Sequence, residues 1–280
     1  MNPMLYVCPM CKGPLDFAGQ DYHCPVCSSS YPLVAGIPDF FVAVPGDEDS
    51  PVWKENLSWD DPQMAAAREV IYRLSTPDLK GMAFAMQQIA ARSFSGCRIL
   101  EVGLGTGHFT RWMAEVCAPG TEIYAFDYAW PMFDYARANL AGVPGVTLLR
   151  ANALAPLPFP DESFDFLLLR LAPLGRPDVW NVRVALDLLK PGGWLVKAGW
   201  KARPENKPWT EAAIEVGYMC AEAHEWQYTR TRTLEEYAAS RVECERAIAF
   251  GAPYQPMPEK PASLLMTVWE NVRFAQKALR

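Results

Sequence analysis

The stretch Ile99-Leu-Glu-Val-Gly103-Leu-Gly105-Thr-Gly107-His-Phe109 constrains the fold of this chain more than any other. It reads as a buried β-strand that ends in an acidic residue, a glycine-rich turn, and a helix beginning at His108. A backbone takes up positive φ and approaches a ligand closely only where no Cβ intervenes, so a glycine turn between strand and helix predicts a cradle for a cofactor.

A G-x-G-x-x-G dinucleotide fingerprint also sets a glycine turn after a first strand, with an acid about 20 residues later. Here the third glycine arrives one residue early, and Glu101 lies two residues before the first glycine. The pattern resembles L-E-x-G-x-G-x-G, the first motif of the S-adenosylmethionine (SAM)-dependent methyltransferases. Further runs extend the resemblance in order along the chain. They are Glu122-Ile-Tyr-Ala-Phe-Asp127, then Ala151-Asn152-Ala153 in the place of the family's G-D-A, then Leu157-Pro-Phe-Pro-Asp-Glu-Ser-Phe-Asp165, and Leu188-Leu-Lys-Pro-Gly-Gly-Trp-Leu-Val196.

The alternation of strands and helices over 97–200 predicts an α/β fold, a parallel sheet with helices on both faces and its ligand beyond the carboxyl ends of the strands. The resemblance implies a Rossmann-like class I methyltransferase sheet and SAM as cofactor. It places Glu101, Gly103, Gly105, Gly107, Asp127, Tyr128, Asn152, Ala153 and Arg170 along the cofactor rim. Asp127 has the chemistry to accept hydrogen bonds from both ribose hydroxyls, or to cap the segment after it. Tyr128 would cover the adenine, and the Asn152 carbonyl would accept from the adenine amino group in place of the family's acid.

Near the amino terminus, Cys8-Pro-Met-Cys11 and Cys24-Pro-Val-Cys27 are separated by twelve residues. Each knuckle lets two thiolates converge on one ion at about 2.3 Å, and two knuckles complete a tetrahedral S₄ site without an open position, which predicts structural zinc held by Cys8, Cys11, Cys24 and Cys27. The following Tyr31-Pro-Leu-Val-Ala-Gly-Ile-Pro-Asp39-Phe is similar to the closing element of Trm112-like zinc ribbons, a family whose members serve methyltransferases as partner or scaffold. The expected organisation is a zinc ribbon over 1–42, an acidic, proline-bearing linker over 43–59, and a methyltransferase domain over 60–280. Within that domain a helical cover spans 60–95, as two helices interrupted at Ser75-Thr-Pro77, either capping the cofactor pocket or packing on the sheet. An acceptor-side insert spans 201–260.

Half of the residues are apolar, ample for a buried core, and the net charge is -6. No apolar run approaches the ~20 residues of a membrane span, and the start shows no signal-like core, so the chain is expected to be cytoplasmic, without a membrane partner. A ribbon that resembles those of the bacterial 23S rRNA guanine-N1 methyltransferases, and the run Arg170-Leu-Ala-Pro173 similar to that family's R-x-x-A-P, allow RNA as acceptor. Against it stand the acidic balance, Lys12 as the ribbon's one cation, Cys27 where that family has histidine, and the Tyr31–Phe40 segment in place of its own element. A small-molecule acceptor is therefore favoured. A catalytically silent SAM-binding scaffold would predict damage to the glycine loop, which is intact. His224 and Tyr218, in the insert, are the candidate catalytic residues, and Trp200, Trp226 and Tyr228 could join Tyr218 in an aromatic acceptor pocket. His108 is expected to be structural, and the sequence does not indicate an oligomeric state.

Overall fold

A computed structural model describes residues 5–44, 58–170, 185–200 and 209–279. Expectations on most of the linker, on Leu171-Ala-Pro173 and on residues 201–208 lie outside the described residues. The ribbon is a four-stranded antiparallel sheet in sequential order, β1 (Asp16–Phe17), β2 (Asp21–His23), β3 (Ser30–Val34) and β4 (Ile37–Pro38).

The main sheet has seven strands. Four of them, β5 (Arg98–Val102), β6 (Glu122–Asp127), β7 (Val146–Arg150) and β8 (Phe164–Arg170), are mostly apolar runs that pair in parallel, as strands covered on both faces do. β9 (Leu189–Trp200) continues the parallel set beside β8. Of the last two, β10 (Tyr218–Thr231) and β11 (Leu265–Lys277), β11 runs antiparallel to β9 and β10 runs antiparallel to β11, and the spatial order is β10-β11-β9-β8-β5-β6-β7. Strand order therefore reverses at β5, where β6 lies on one side and β8 on the other. Such a switch opens a crevice at the carboxyl ends.

The helical cover forms as its period predicts. α1 (Pro62–Ser75) starts with Asp61 accepting the Gln63 N–H at 2.8 Å, with proline at the position where a missing N–H costs nothing. A tight turn at Thr76–Asp78 separates it from α2 (Lys80–Arg92). α3 (His108–Val116) and α4 (Trp130–Asn139) follow β5 and β6. α5 (Trp209–Glu215) and α6 (Leu234–Ala249) flank β10. The segment around His224, weighed as a helix face, is instead a strand: from His224 to Thr231 half-buried and exposed residues alternate with period two against β11. No helix among the described residues is long and apolar enough to cross a membrane.

Alternate residues of the central strands feed two cores. Ile99, Ile123, Phe166 and Val196 meet Met82, Met86, Ile89, Phe109 and Phe133 of α2, α3 and α4 on one face. Leu100, Tyr124, Phe126 and Leu167 point to the other. There, over β6 to β8, the cover is the ribbon: residues 151–163 between β7 and β8 hold no helix, and Tyr6, Tyr22 and Phe40 pack with Phe159 against the sheet. The Tyr6 ring lies 4.8 Å from Phe40, 5.8 Å from Phe159 and 6.4 Å from Tyr124. Backbone bonds fix the register, Val7 N–H to the Pro158 carbonyl at 3.1 Å and Phe40 N–H to the Arg150 carbonyl at 2.9 Å. Arg150 also pairs with Asp39 at 3.0 Å. Helices on both faces were expected, and on this face α5 and the helical residues before β9 share the work with the ribbon.

Ribbon and sheet thus share one core, which makes a specific demand on unfolding. Phe40 is 1% exposed, and Phe40→Ala is expected to cost about 3–5 kcal/mol. All ten tryptophans lie outside residues 1–42, so tryptophan fluorescence in a urea titration reports on the methyltransferase-like body. An unchanged midpoint would mean that the ribbon does not support the sheet.

Candidate active site

The loop between β5 and α3 is shaped by what surrounds it. Gly103 adopts φ of +85°, and a Cβ there would stand 2.6 Å from the Arg170 carbonyl oxygen. Its N–H and that of Leu104 both reach the Phe126 carbonyl, at 3.0 and 2.9 Å. The Arg170 Nη2 donates to the carbonyls of Gly103 and Leu104 at 2.9 and 3.1 Å, and the guanidinium lies 4.2 Å from the Phe109 ring centroid. Behind it Glu101 is fully buried, accepts from Thr110 at 2.5 Å, and sits 3.4 Å from Arg170 Nε. Burial pushes the Glu101 carboxyl up, and the Arg170 charge opposes that shift. Glu101 is thus a brace beneath the loop and does not line the cavity above it, whereas Arg170 does both.

That cavity, about 460 Å³, lies over the carboxyl ends of β5, β6, β7 and β8. Gly103, Gly105, Asp127, Tyr128, Asn152 and Ala153 all line it, so the structure brings together most of the rim expected from sequence. Gly107 does not; it begins α3 with φ of +85°, and the space a Cβ would need is taken by Leu140 at 3.1 Å, so its role is helix packing. The Asp127 carboxylate accepts from the N–H groups of Gly105 and Tyr128, each at 2.8 Å, and of Ala129 at 3.2 Å. Those bonds use three of a carboxylate's roughly four acceptor directions. Asp127 thus caps the segment after it, the alternative to ribose binding, and keeps an acceptor direction free toward the cavity. Burial raises its pKa while the three N–H groups favour the ionised form. Asn152 is also committed: it donates to the Val42 carbonyl at 3.0 Å and accepts from Leu154 N–H at 2.9 Å, leaving one acceptor direction on its oxygen.

Of the roof, a cap from the cover helices was one of two expectations from sequence, and the part built by α6 was not foreseen. α1 contributes Arg68 and Tyr72, and α6 contributes Glu236, Ser240, Glu243 and Cys244, at steps of four, seven and eight that share one helix face. Arg230 and Arg232, from the end of β10 and just beyond it, complete that side. Arg68 pairs with Glu243 at 2.6 Å, and Arg230 pairs with Glu236. Glu236 and Glu243 are 2% and 7% exposed, and burial pushes the Glu243 carboxyl up against the attraction of Arg68 and Arg232. A polar stripe on a helix reads as a solvated face until its partner is known; only the cluster of arginines before α6 hinted otherwise.

Neither candidate catalytic residue reaches the cavity. Tyr218 begins β10 and lies in the core of the opposite sheet face, 3% exposed, with burial raising its pKa. β10 pairs antiparallel with β11 and so runs in the same direction as the parallel strands; Tyr218 and Arg230 stand at opposite ends of it, roughly 40 Å apart, and only Arg230 stands at the carboxyl-end crevice. His224, midway, is wedged against Phe84 at 4.8 Å between centroids, and its Nε2 is 3.2 Å from Glu222. Trp226 packs on the same Phe84, and Tyr228 donates to Glu270 at 2.5 Å, so these aromatics build no acceptor pocket. His108 pairs with Glu69 of α1 at 3.0 Å, a structural tie between roof and glycine loop.

In the ribbon, the Sγ atoms of Cys8, Cys11, Cys24 and Cys27 all lie within 4.8 Å of one another, with Cys8–Cys27 and Cys11–Cys24 at 3.5 Å. A tetrahedron with 2.3 Å metal–sulfur bonds has edges of about 3.8 Å, so the four thiols could hold a metal ion. The Tyr31 hydroxyl is 3.2 Å from Cys8 Sγ, and the Ser29 hydroxyl, 3.2 Å from Cys27 Sγ, helps to pull that thiol down to about 6.

Comparison with known proteins adds the family. Residues 99–193 match the family model described as a methyltransferase domain. The demethylmenaquinone methyltransferase of Anoxybacillus flavithermus is 33% identical over 104 residues, 36% of this chain and 44% of that protein. Its counterpart in Listeria welshimeri is 34% identical over 103 residues, 36% and 43% of the two chains. The chain thus spans less than half the length of these curated relatives. Among solved structures, the YcgJ protein of Bacillus subtilis superposes with a TM-score of 0.54 at 14% identity, over 71% of this chain and 99% of that one, a likeness of fold. Residues 99–193 are therefore a class I, SAM-dependent methyltransferase domain.

Proposed function

We propose that the chain is a SAM-dependent methyltransferase for a small-molecule acceptor, with a structural zinc ion in its ribbon. The observation that carries the reading is the Asp127–Gly105 clasp, which sets an acid and a glycine backbone side by side in the floor of the cavity. Bound SAM supplies a methyl group made electrophilic by the positive sulfur. Asp127 would orient it through one ribose hydroxyl, Tyr128 would lie against the adenine, and the Asn152 oxygen would take the adenine amino group. Trp59, Arg68 and Tyr72 of the roof exclude water and hold the reactants near contact, which is the protein's main task in an in-line displacement. Glu101 and Arg170 act through the loop they brace.

A small acceptor is supported from two sides. The matched relatives are named for demethylmenaquinone, a small molecule. Lys12, the one cation of the ribbon, is spent on the Leu157 and Phe159 carbonyls at 3.1 and 3.0 Å, which leaves the ribbon no cation for phosphate. Four cysteine ligands leave no open position, so the metal would hold the ribbon's shape and take no part in transfer.

Calorimetry with S-adenosylhomocysteine tests the cofactor assignment: one saturable site is expected, and Asp127→Ala should weaken it about tenfold or more, since a hydrogen bond to a charged group is lost and the loop is released. Wild-type protein that does not bind would overturn the assignment. For the acceptor, donor labelled on its methyl group should pass label to a small-molecule extract; label entering unmethylated rRNA instead would replace this choice with the RNA one. Elemental analysis should find one zinc per chain, and Cys8→Ser should lose it and lower the thermal midpoint. Full stability in a zinc-free protein would rule out the structural role.

A further inference from the structure

The charges lining the cavity divide unequally between its floor and its roof. Below, Asp127 and Arg170 balance, one negative group to one positive, with Glu101 braced behind the loop. Above, Arg68, Arg230 and Arg232 outnumber Glu236 and Glu243, three positive to two negative. Asp78 approaches Arg230 at 3.9 Å from outside, but its side chain is 63% exposed and its charge is screened by water. SAM carries a sulfonium, an ammonium and a carboxylate, a net single positive charge, and a balanced floor has no surplus cation to oppose it. The surplus positive charge of the roof is left for the second reactant.

That surplus has an address. Arg68 and Arg230 each hold a carboxylate, whereas the Glu243 carboxyl is attracted by Arg68 and Arg232 together. Among the described residues the hydrogen-bond partner of the Arg232 guanidinium is the Met266 sulfur, 3.2 Å from Nε, a weak acceptor. Its two terminal nitrogens form the fork that matches a planar oxyanion. Elsewhere the lining of the same cavity is apolar and aromatic, with Trp59, Ile71, Tyr72 and Met257. We propose that Arg232 is the specificity-determining residue of the acceptor subsite and binds the carboxylate, or a like anionic group, of a small organic acid with an apolar body. This rests on the methyltransferase reading for what fills the floor.

Benzoate and benzamide, which share a body and differ in charge, are the probes, titrated by calorimetry into protein with and without saturating S-adenosylhomocysteine. Benzoate should bind about tenfold or more tightly than benzamide. Arg232→Met should abolish the preference, Arg232→Lys should keep part of it, and S-adenosylhomocysteine affinity should stay within about threefold in both. Equal binding of the two probes by the wild type, or a preference that survives in Arg232→Met, would overturn the proposal. So would a loss of S-adenosylhomocysteine affinity in Arg232→Met that 5′-methylthioadenosine, which lacks the carboxylate, does not share, because Arg232 would then hold the donor. If Arg232→Met fails to fold, the wild-type preference and the Lys variant decide. Wild type that ignores S-adenosylhomocysteine sinks the methyltransferase reading alone; the probe preference in donor-free protein still judges Arg232.

Discussion

A parallel sheet is stable only when both faces are covered, and in this chain one face lacks part of the usual helical cover. Between β7 and β8 the chain crosses in a loop, leaving Tyr124 and Phe126 of the sheet, with Phe159 of the loop itself, to be buried by something else. The ribbon supplies Tyr6, Tyr22, Tyr31 and Phe40 to that gap. A four-cysteine module of some forty residues has too little core to fold on its own apolar surface, and a metal or a host is the usual remedy. Here the host is in place and the four thiols could hold a metal: the ribbon's aromatic side completes the sheet, and the segment leaving it delivers the Val42 carbonyl to Asn152 at the cavity floor.

The glycine loop depends on two buried charges of opposite sign. Asp127 holds a loop N–H and Arg170 holds two loop carbonyls, so the backbone is gripped from both polarities. A buried ion pair such as Glu101–Arg170 adds little net stability against an apolar replacement, but removing one member leaves an uncompensated charge. Its value lies in fixing orientation. The Arg170 carbonyl sets the limit at Gly103, where a methyl group would collide at 2.6 Å.

Legibility from sequence followed the range of the interactions. The strand-loop-helix at 98–116, the second strand ending at Asp127 and the two cover helices were readable because apolar periodicity and local caps decide them. β11 was not, since Glu270, Asn271 and Lys277 are buried in it, and Glu270 and Lys277 depend on distant partners. Glu270 accepts the first N–H groups of α2, from Gly81 and Met82, at 3.0 and 3.1 Å, capping a helix that has no local side-chain cap. Lys277 donates to the Leu189 carbonyl at 2.7 Å. The cofactor rim was legible because its residues recur at the ends of successive strands. The acceptor side was not, because β10 joins the sheet through β11 and runs with the parallel strands, which leaves Tyr218 and His224 at its start and middle, away from the crevice, and brings Arg230 near its end to it.

The roof over that crevice is built from ions more than from apolar contacts. Apolar burial around α6 is small, with Met64, Ala247 and Ala252 as its buried cluster and Ala239 joining the main core. Its position is defined instead by Arg68–Glu243 and Arg230–Glu236, which tie α6 to α1 and to the end of β10. Apolar contacts are non-directional and tolerate sliding, whereas hydrogen-bonded ion pairs specify register. A helix so registered presents Ser240 and Cys244 to the cavity at fixed places, beside guanidinium groups whose charge is only partly answered by the protein. The geometry that orients the roof is thereby also the geometry that would discriminate among acceptors.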